Sequence, residues 1–299
     1  MDQPRHDPVI AFLVGAIGIA TFSAMDAVMK GLVLALGTYT TLFWRSLAGT
    51  MMAGVLFAAR PRRPDWPTMK IHLARGILGS CMAVLFFWGL ARVPIAQAIA
   101  LAFIAPLIAL YLAAAVLKES VGPRLVGASL VAFAGVIVIF IGQAQADLGR
   151  EALLGSLSIL ASAVCYAINI ILMRRQALAA SPIEVGFFQS LIMAACLLMA
   201  LPFLGTQVPP AGQVPMILLA AGLATASLLL LTWAYARAEA SYLATTEYTS
   251  FLWAALFGWL FFREPVSLYT LAGAAMIVAG CILAARRPQD ASPALEAAV

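Results

Sequence analysis

Long apolar runs, separated by short polar breaks, follow one another along the chain up to residue 285. Each has about 20 residues, the length that an α-helix needs to cross a hydrocarbon core of about 30 Å. The pattern predicts ten membrane-spanning helices, at residues 9–29, 39–59, 70–91, 95–117, 124–142, 153–173, 183–203, 213–235, 240–262 and 268–285. We therefore expect an all-α polytopic membrane protein whose function lies among its helices, since the tails at 1–8 and 286–299 are short.

Composition and charge agree with a membrane location. Hydrophobic residues make up 64% of the chain and charged residues 10%, against roughly 25% charged in soluble domains. Twelve of the 18 lysines and arginines fall in segments on the N-terminal side of the membrane and four on the other side. This bias predicts that both termini are cytoplasmic. No basic patch with interleaved aromatic residues is present, so nucleic acid is not an expected partner.

The two halves of the sequence resemble each other. A shift of 144 residues places "FWRSL" (43–47) on "FFQSL" (187–191). A shift of 145 pairs four further residues: Trp88 with Trp233, Arg92 with Arg237, Glu119 with Glu264, and Gly135 with Gly280. The pattern indicates a duplicated five-helix unit, with a first repeat at 9–142 and a second at 153–285.

Because five is an odd number, the second repeat enters the membrane from the side opposite to the first. Inverted repeats of this kind occur in secondary transporters, whose substrate sites lie near the membrane midplane at the repeat interface. The sequence therefore predicts two inverted five-helix repeats around a central cavity. Since both halves are present in one chain, we expect a functional monomer.

Each half ends in a basic-Glu pair, Lys118-Glu119 or Arg263-Glu264, followed by a Gly-rich helix. With the ten-helix inverted repeat, these features resemble the drug/metabolite transporter superfamily, EamA type. Within it the chain is similar to bacterial amino-acid and metabolite exporters, including exporters of aromatic amino acids. The resemblance implies a multi-pass protein of the bacterial inner membrane that exports small metabolites by alternating access, with no cofactor.

Two charged residues in the first two spans are candidates for a gate or an ion pair. Asp26 and Arg45 lie at similar depths, estimated from a rise of 1.5 Å per residue. Intramembrane charges are costly and often functional. We expect either a buried ion pair between the first two helices or a role at the substrate or gate.

Neutral and acidic polar groups in the second half are candidates for the cavity lining. Gln189 is the counterpart of Arg45, and Asn169 lies one place before the counterpart of Asp26. Glu247, at a similar depth, is a candidate to bind a substrate ammonium group or a proton, the alternative being a packing carboxyl bonded to Thr or Tyr. Tyr166 and Tyr248 are further candidates for the lining, because aromatic faces attract ammonium groups.

For some residues a structural role is the alternative to a role in the cavity. Trp88 and Trp233 are candidates for the cavity but lie near helix ends, where interfacial aromatic belts occur. Pro106 is expected to be a hinge that kinks the fourth helix only, because its counterpart Phe251 is not a proline. Arg75, with His72 beside it, is expected to extend to the lipid headgroups.

Other function classes have less support. The sequence contains no HExxH, Gly-x-Ser-x-Gly, metal-ligand or phosphate-loop motif, so neither an enzyme nor a metal site is expected, and an intramembrane enzyme remains a distant alternative. We expect a small-molecule substrate, an amino acid or similar metabolite, in a protein embedded in a lipid bilayer. Transport of another metabolite, a nucleotide-like solute or a drug, in either direction and with or without protons, stays open.

Overall fold

The computed structural model describes residues 8–59, 63–117, 123–146, 149–177, 179–205, 207–235, 237 and 246–285. Lys118, Glu119, residues 238–245, and most of both tails lie outside these ranges. The described secondary structure is helical: α1 Pro8–Leu36, α2 Thr38–Ala58, α3 Trp66–Leu90, α4 Ile95–Ala102, α5 Ala105–Leu117, α6 Pro123–Gln145, α7 Gly149–Ala177, α8 Pro182–Leu204, a 3₁₀ turn Ala211–Gln213, α9 Val214–Tyr235, α10 Ser250–Phe262 and α11 Leu268–Ala285.

The helices confirm the expected polytopic class. Within the described ranges, seven helices are long and apolar enough to cross a membrane. Three shorter apolar segments, Ile95–Ala109, Ser250–Phe262 and Leu268–Leu283, accompany them. Each of these segments falls on one of the spans predicted from the sequence.

Local sequence signals place several helix ends. Gly37 has a φ of 80°, and this left-handed conformation lets one residue join α1 to α2. Asp65 caps α3 by accepting a hydrogen bond from the Thr68 amide at 3.1 Å. Ser181 caps α8 by accepting from the Glu184 amide at 3.4 Å. Such caps satisfy amides that have no partner inside the helix, and they fix the starts of the two helices that carry much of the site.

Helices of the first half pack mainly against helices of the second. The main pairs are α1 with α9, α3 with α7, α2 with α8, and α6 with α11. Exchanging each helix for its counterpart in the other half leaves this set of pairs unchanged. The core therefore lies between the halves, and any cavity between these pairs is bounded by both.

The α6–α11 pair contains the small residues expected from the sequence. A Cβ added to Gly135 would lie 2.6 Å from the carbonyl oxygen of Gly273, and one added to Gly280 would lie 2.6 Å from that of Ala128. The two backbones thus approach too closely for a side chain at these positions. This is the small-residue packing typical of membrane helices.

The expectation of a kink in the fourth helix only was wrong. The first break separates α4 from α5 at Phe103 and Ile104, just before Pro106, whose missing N–H cannot bond to the Ala102 carbonyl. In the second half, a tight turn precedes α10, and Thr249 donates a hydrogen bond to the Thr246 carbonyl at both its amide and its hydroxyl. In this half the helix is thus interrupted by hydroxyl bonds to nearby backbone carbonyls, and the sequence has no proline there.

Contacts at helix ends divide the molecule into two sides. If successive spans cross the membrane in alternating directions, the N-terminal side contains the starts of α1, α3 and α8 and the ends of α2 and α7. His72, Gln176 and Glu184 meet there. Lys30, Ile95 and Glu264 meet on the opposite side.

Candidate functional site

A cavity of about 230 Å³ lies between α2, α3, α8 and α9, with Phe22 of α1 also on its wall. It extends from Arg45 to the last turn of α2 at Leu56 and the first turn of α8 at Pro182, so it reaches towards the N-terminal side. Most of its lining is apolar. Its polar side chains belong to Arg45, Ser46, Arg75, Gln189, Ser190, Thr225 and Ser227.

Arg45 enters the cavity from α2, and the ion pair with Asp26, one of its two expected roles, is not formed among the described residues. Its Nη2 lies 3.6 Å from the Met193 sulfur, and its buried Nε has no hydrogen-bond partner in the described part of the chain. Asp26 is 1% exposed, and both its carboxyl oxygens likewise have no partner among the described residues. The two charges interact only at longer range.

Arg75 does not extend to the headgroups; it turns inward from α3 to α7. Its Nε donates to Asn169 Oδ1 at 3.1 Å, and its Nη1 donates to Gln176 Oε1. Both partners are neutral amides and both are buried. The guanidinium is therefore held at the cavity wall by hydrogen bonds that do not neutralise its charge.

His72 is also inside the protein, 1% exposed, and not at the headgroups. Its Nδ1 lies 2.6 Å from Gln176 Nε2 and its Nε2 lies 3.2 Å from Glu184 Oε1. An amide N–H can only donate, so this network assigns the proton of a neutral imidazole to Nε2. A continuous set of hydrogen bonds thus joins Glu184, His72, Gln176 and Arg75, which we call the α3–α7–α8 network.

The sequence did not single out this network, although it held a signal. His72 and Arg75 are three residues apart on α3, and Asn169 and Gln176 are seven apart on α7. Such spacings put side chains on one helical face. A comparison of helix faces, in addition to depth, identifies them as facing partners.

Of the residues expected in the cavity, Gln189 lines it, and its Oε1 has no partner in the described ranges. Asn169 reaches the site through Arg75. Tyr166 lies within electrostatic range of both Arg75 and Glu247, but neither it nor Glu247 is part of the wall. Tyr248 packs edge-to-face on Phe103, with ring centroids 5.6 Å apart.

Both tryptophans lie at helix ends and outside the cavity wall. The Arg92 guanidinium carbon is 3.5 Å from the Trp88 ring centroid, and that of Arg237 is 4.1 Å from the Trp233 ring centroid. Each arginine also donates to the backbone carbonyl of its tryptophan. These matched pairs anchor the ends of α3 and α9 and leave the cavity to other residues.

A buried ion pair joins the two halves on the opposite side. Lys30, 4% exposed, bonds to Glu264 and donates to the Val93 carbonyl at 2.6 Å. The second Glu264 oxygen accepts from the Ile95 amide at 2.8 Å and so caps α4. We call this set the Lys30–Glu264 clamp. It links α1, the start of α4 and the end of α10 at the side away from the cavity.

Comparison with known proteins identifies the family. The sequence model of the EamA-like transporter family matches residues 9–141 and again 153–286. The chain belongs to the EamA-like transporter family. It is thus a multi-pass membrane transporter of the drug/metabolite transporter superfamily.

Named relatives of this EamA-like transporter carry different solutes. The pseudopaline exporter CntI of Pseudomonas aeruginosa is 27% identical over 278 residues, covering 92% of this chain and 95% of its own. A riboflavin transporter of Rhizobium johnstonii is 31% identical over 303 residues, covering 95% of this chain and 93% of its own. A solved crystal structure has a TM-score of 0.61 at 22% identity, covering 93% of this chain and 98% of that one, which supports the fold.

Proposed function

We propose that this EamA-like transporter is a secondary transporter that exports small metabolites across a bacterial inner membrane. Amino acids, aromatic and apolar ones among them, are the proposed substrates. The observation that carries the proposal is the cavity, because helices from both halves bound it and Arg45 and Gln189 face it from α2 and α8. Its volume of about 230 Å³ lies just below the roughly 300–1,000 Å³ typical of drug-sized ligand sites, which favours a small solute.

The mechanism that we propose is alternating access. The cavity reaches the N-terminal side, and the Lys30–Glu264 clamp joins the halves at the other side. The bias of Lys and Arg supports a cytoplasmic N-terminal side. Solute would then enter from the cytoplasm, and opening the clamp while the N-terminal side closes would release it outside.

A second candidate is transport, in either direction, of a different metabolite. The names of the relatives favour it, since one is a pseudopaline exporter and another a riboflavin transporter. In that reading the two halves move in the same way, and only the solute differs.

The test is uptake into liposomes that contain the purified full chain. A labelled panel of neutral, aromatic, basic and acidic amino acids, with riboflavin, is measured with and without a pH gradient. We expect saturable uptake of amino acids, reduced at least tenfold in Arg45→Ala and retained in Arg92→Ala, whose side chain lies outside the cavity. Riboflavin uptake alone would favour the second candidate, and no uptake of any solute by folded protein would reject both.

A further inference from the structure

The charges on the cavity wall have one sign. Arg45 and Arg75 are both part of it, whereas none of the lining residues in the described ranges is Asp or Glu. Glu184 lies in the first turn of α8, the helix that carries several lining residues, but its side chain is directed to His72. From the described wall, a solute in the cavity therefore meets two guanidinium groups and no carboxylate.

Within the described ranges, no direct contact neutralises either guanidinium. Among the described residues, the salt bridges are Lys30–Glu264 and Arg92–Glu151, Glu184 accepts from the neutral His72, and none of these contacts includes Arg45 or Arg75. Arg75 bonds to amide oxygens, and the polar contact of Arg45 is with a thioether. Neither oxygen of Asp26 bonds to Arg45 in the described structure.

Cations in this setting favour an anionic partner. A charge removed from water is costly unless it is paired and hydrogen-bonded, and intramembrane arginines usually have such a partner or face water. The planar guanidinium matches a carboxylate through two parallel hydrogen bonds. The buried Nε of Arg45, which lacks a partner in the described structure, is one of the donors that such a bond requires.

We propose that the solute binds as an organic anion, with a carboxylate held by Arg45 and Arg75. This inference rests on the proposed function and narrows its substrate class to acidic amino acids and related carboxylates. The Gln189 carbonyl oxygen accepts a hydrogen bond from a hydroxyl or amino group of the same solute. Neutral zwitterions bind less tightly, since none of the described wall residues offers their ammonium group a carboxylate.

The experiment measures binding separately from transport. The unfolding temperature of the purified full chain in detergent is measured at neutral pH and constant ionic strength with matched solutes. Glutamate is compared with glutamine, and succinate with succinamide, because the members of each pair differ mainly in one or two anionic groups. We expect each anion to raise the unfolding temperature in a saturable way, with a Kd at least tenfold lower than that of its neutral amide.

Variants of the two arginines locate the effect. Arg45→Gln and Arg75→Gln should each raise the Kd for the anion at least tenfold. Arg45→Lys and Arg75→Lys, which keep a positive charge, should raise this Kd less. Arg92→Gln is the matched control, since it removes an arginine that pairs with Glu151 outside the cavity. If a Gln variant does not fold, its Lys variant and the comparison of anion with amide in the natural chain still test the anion site.

Three outcomes would overturn the anion site. They are equal stabilisation by an anion and its amide, no stabilisation by any anion, or a loss of anion affinity in Arg92→Gln as large as that in the Arg45 and Arg75 variants. The proposed function fails in a different way. If anions bind as expected but are not transported in liposomes, the anion site stands and the transport of amino acids does not. If neutral amino acids are transported without any preference for anions, transport stands and the anion site does not.

Discussion

At the residue scale, the Gln176 amide connects two charged regions of the structure. Its nitrogen donates to His72 and its oxygen accepts from Arg75. Rotation of the amide by 180° would turn its nitrogen, a donor, towards the donors of Arg75 and its oxygen towards the accepting Nδ1 of His72. The orientation of this one side chain therefore determines how firmly Arg75 is held at the cavity.

Replacing Gln176 with Leu should weaken solute binding more than turnover. A hydrogen bond to a charged group contributes about 1.5–3 kcal/mol, so we expect an apparent KM for the transported solute roughly tenfold higher or more, with a smaller change in kcat. Liposome uptake at varied solute concentration measures both.

Gln176→Glu is the comparison. It keeps the contact with Arg75 but adds a negative charge, so anion binding should fall although the protein remains folded. A KM unchanged in both variants would show that Gln176 does not position Arg75.

Polar residues of the cavity differ in how readily the sequence reveals them. Arg45 was a candidate for a gate or an ion pair and Gln189 for the cavity lining, because a polar group within an apolar run is easily recognised, and both lie on the cavity wall. Arg75 and His72 were assigned to the headgroups because each lies near the start of its helix, and depth alone does not show which face of a helix is buried. Their partners lie about 100 positions further along the sequence, so helix pairing was needed to find them.

At the element scale, the contact between α6 and α11 depends on the absence of side chains. The backbones of the two helices approach at Gly135 and Gly273, and again at Gly280 and Ala128. In a bilayer, where lipid tails are as apolar as the side chains, such close packing is a main source of helix association. Substitutions at these positions should therefore separate the helices.

Gly135→Val should lower the stability of the protein, and Gly127→Val on the same helix should not. An added Cβ at Gly135 would lie 2.6 Å from a backbone oxygen, whereas one at Gly127 would meet no atom within 4 Å. Overpacking typically costs about 1–3 kcal/mol. Thermal unfolding in detergent, followed by circular dichroism, measures the difference. Equal unfolding temperatures for the two variants would contradict the observed helix packing.

The elements were easier to predict than their interruptions. Ten apolar runs identified the segments, because each needs about 20 apolar residues to cross the membrane. Pro106 also signalled the break between α4 and α5, since proline lacks the N–H that a continuous helix requires. The turn before α10 depends on the hydroxyls of Thr249 and Ser250, each of which donates to the backbone carbonyl three residues earlier. Thr and Ser also occur in unbroken helices, so their presence did not predict this turn.

At the scale of the whole molecule, the Lys30–Glu264 clamp joins the two halves on the side away from the cavity. Lys30 is 4% exposed and Glu264 19% exposed, and together they join three helices from both halves. Removing one partner of a buried ion pair typically costs about 3–5 kcal/mol. That loss destabilises only the conformation in which the clamp is formed. It should therefore shift the population towards a conformation that is open on the side of the clamp.

Lys30→Met should expose the cavity to reagents on the side of the clamp. The test places a cysteine at Ser190, a cavity residue, after replacing the four natural cysteines, and labels it with a membrane-impermeant maleimide from that side. We expect labelling several-fold faster in Lys30→Met than in its parent. Arg92→Met is the control, because it breaks a more exposed pair, Arg92–Glu151, on the same side. Equal rates in all three proteins would show that the clamp does not control access.

The contact between Phe103 and Tyr248 has a consequence for the history of the chain. With the shift of 145 that aligns the halves, these two residues are counterparts, and their rings pack on each other where the two helices are interrupted. In an assembly of two identical five-helix units, one mutation at this position would change both rings of the contact at once. In one chain that contains both halves, each ring can mutate separately, and the hydroxyl that Tyr248 carries and Phe103 lacks is such a difference.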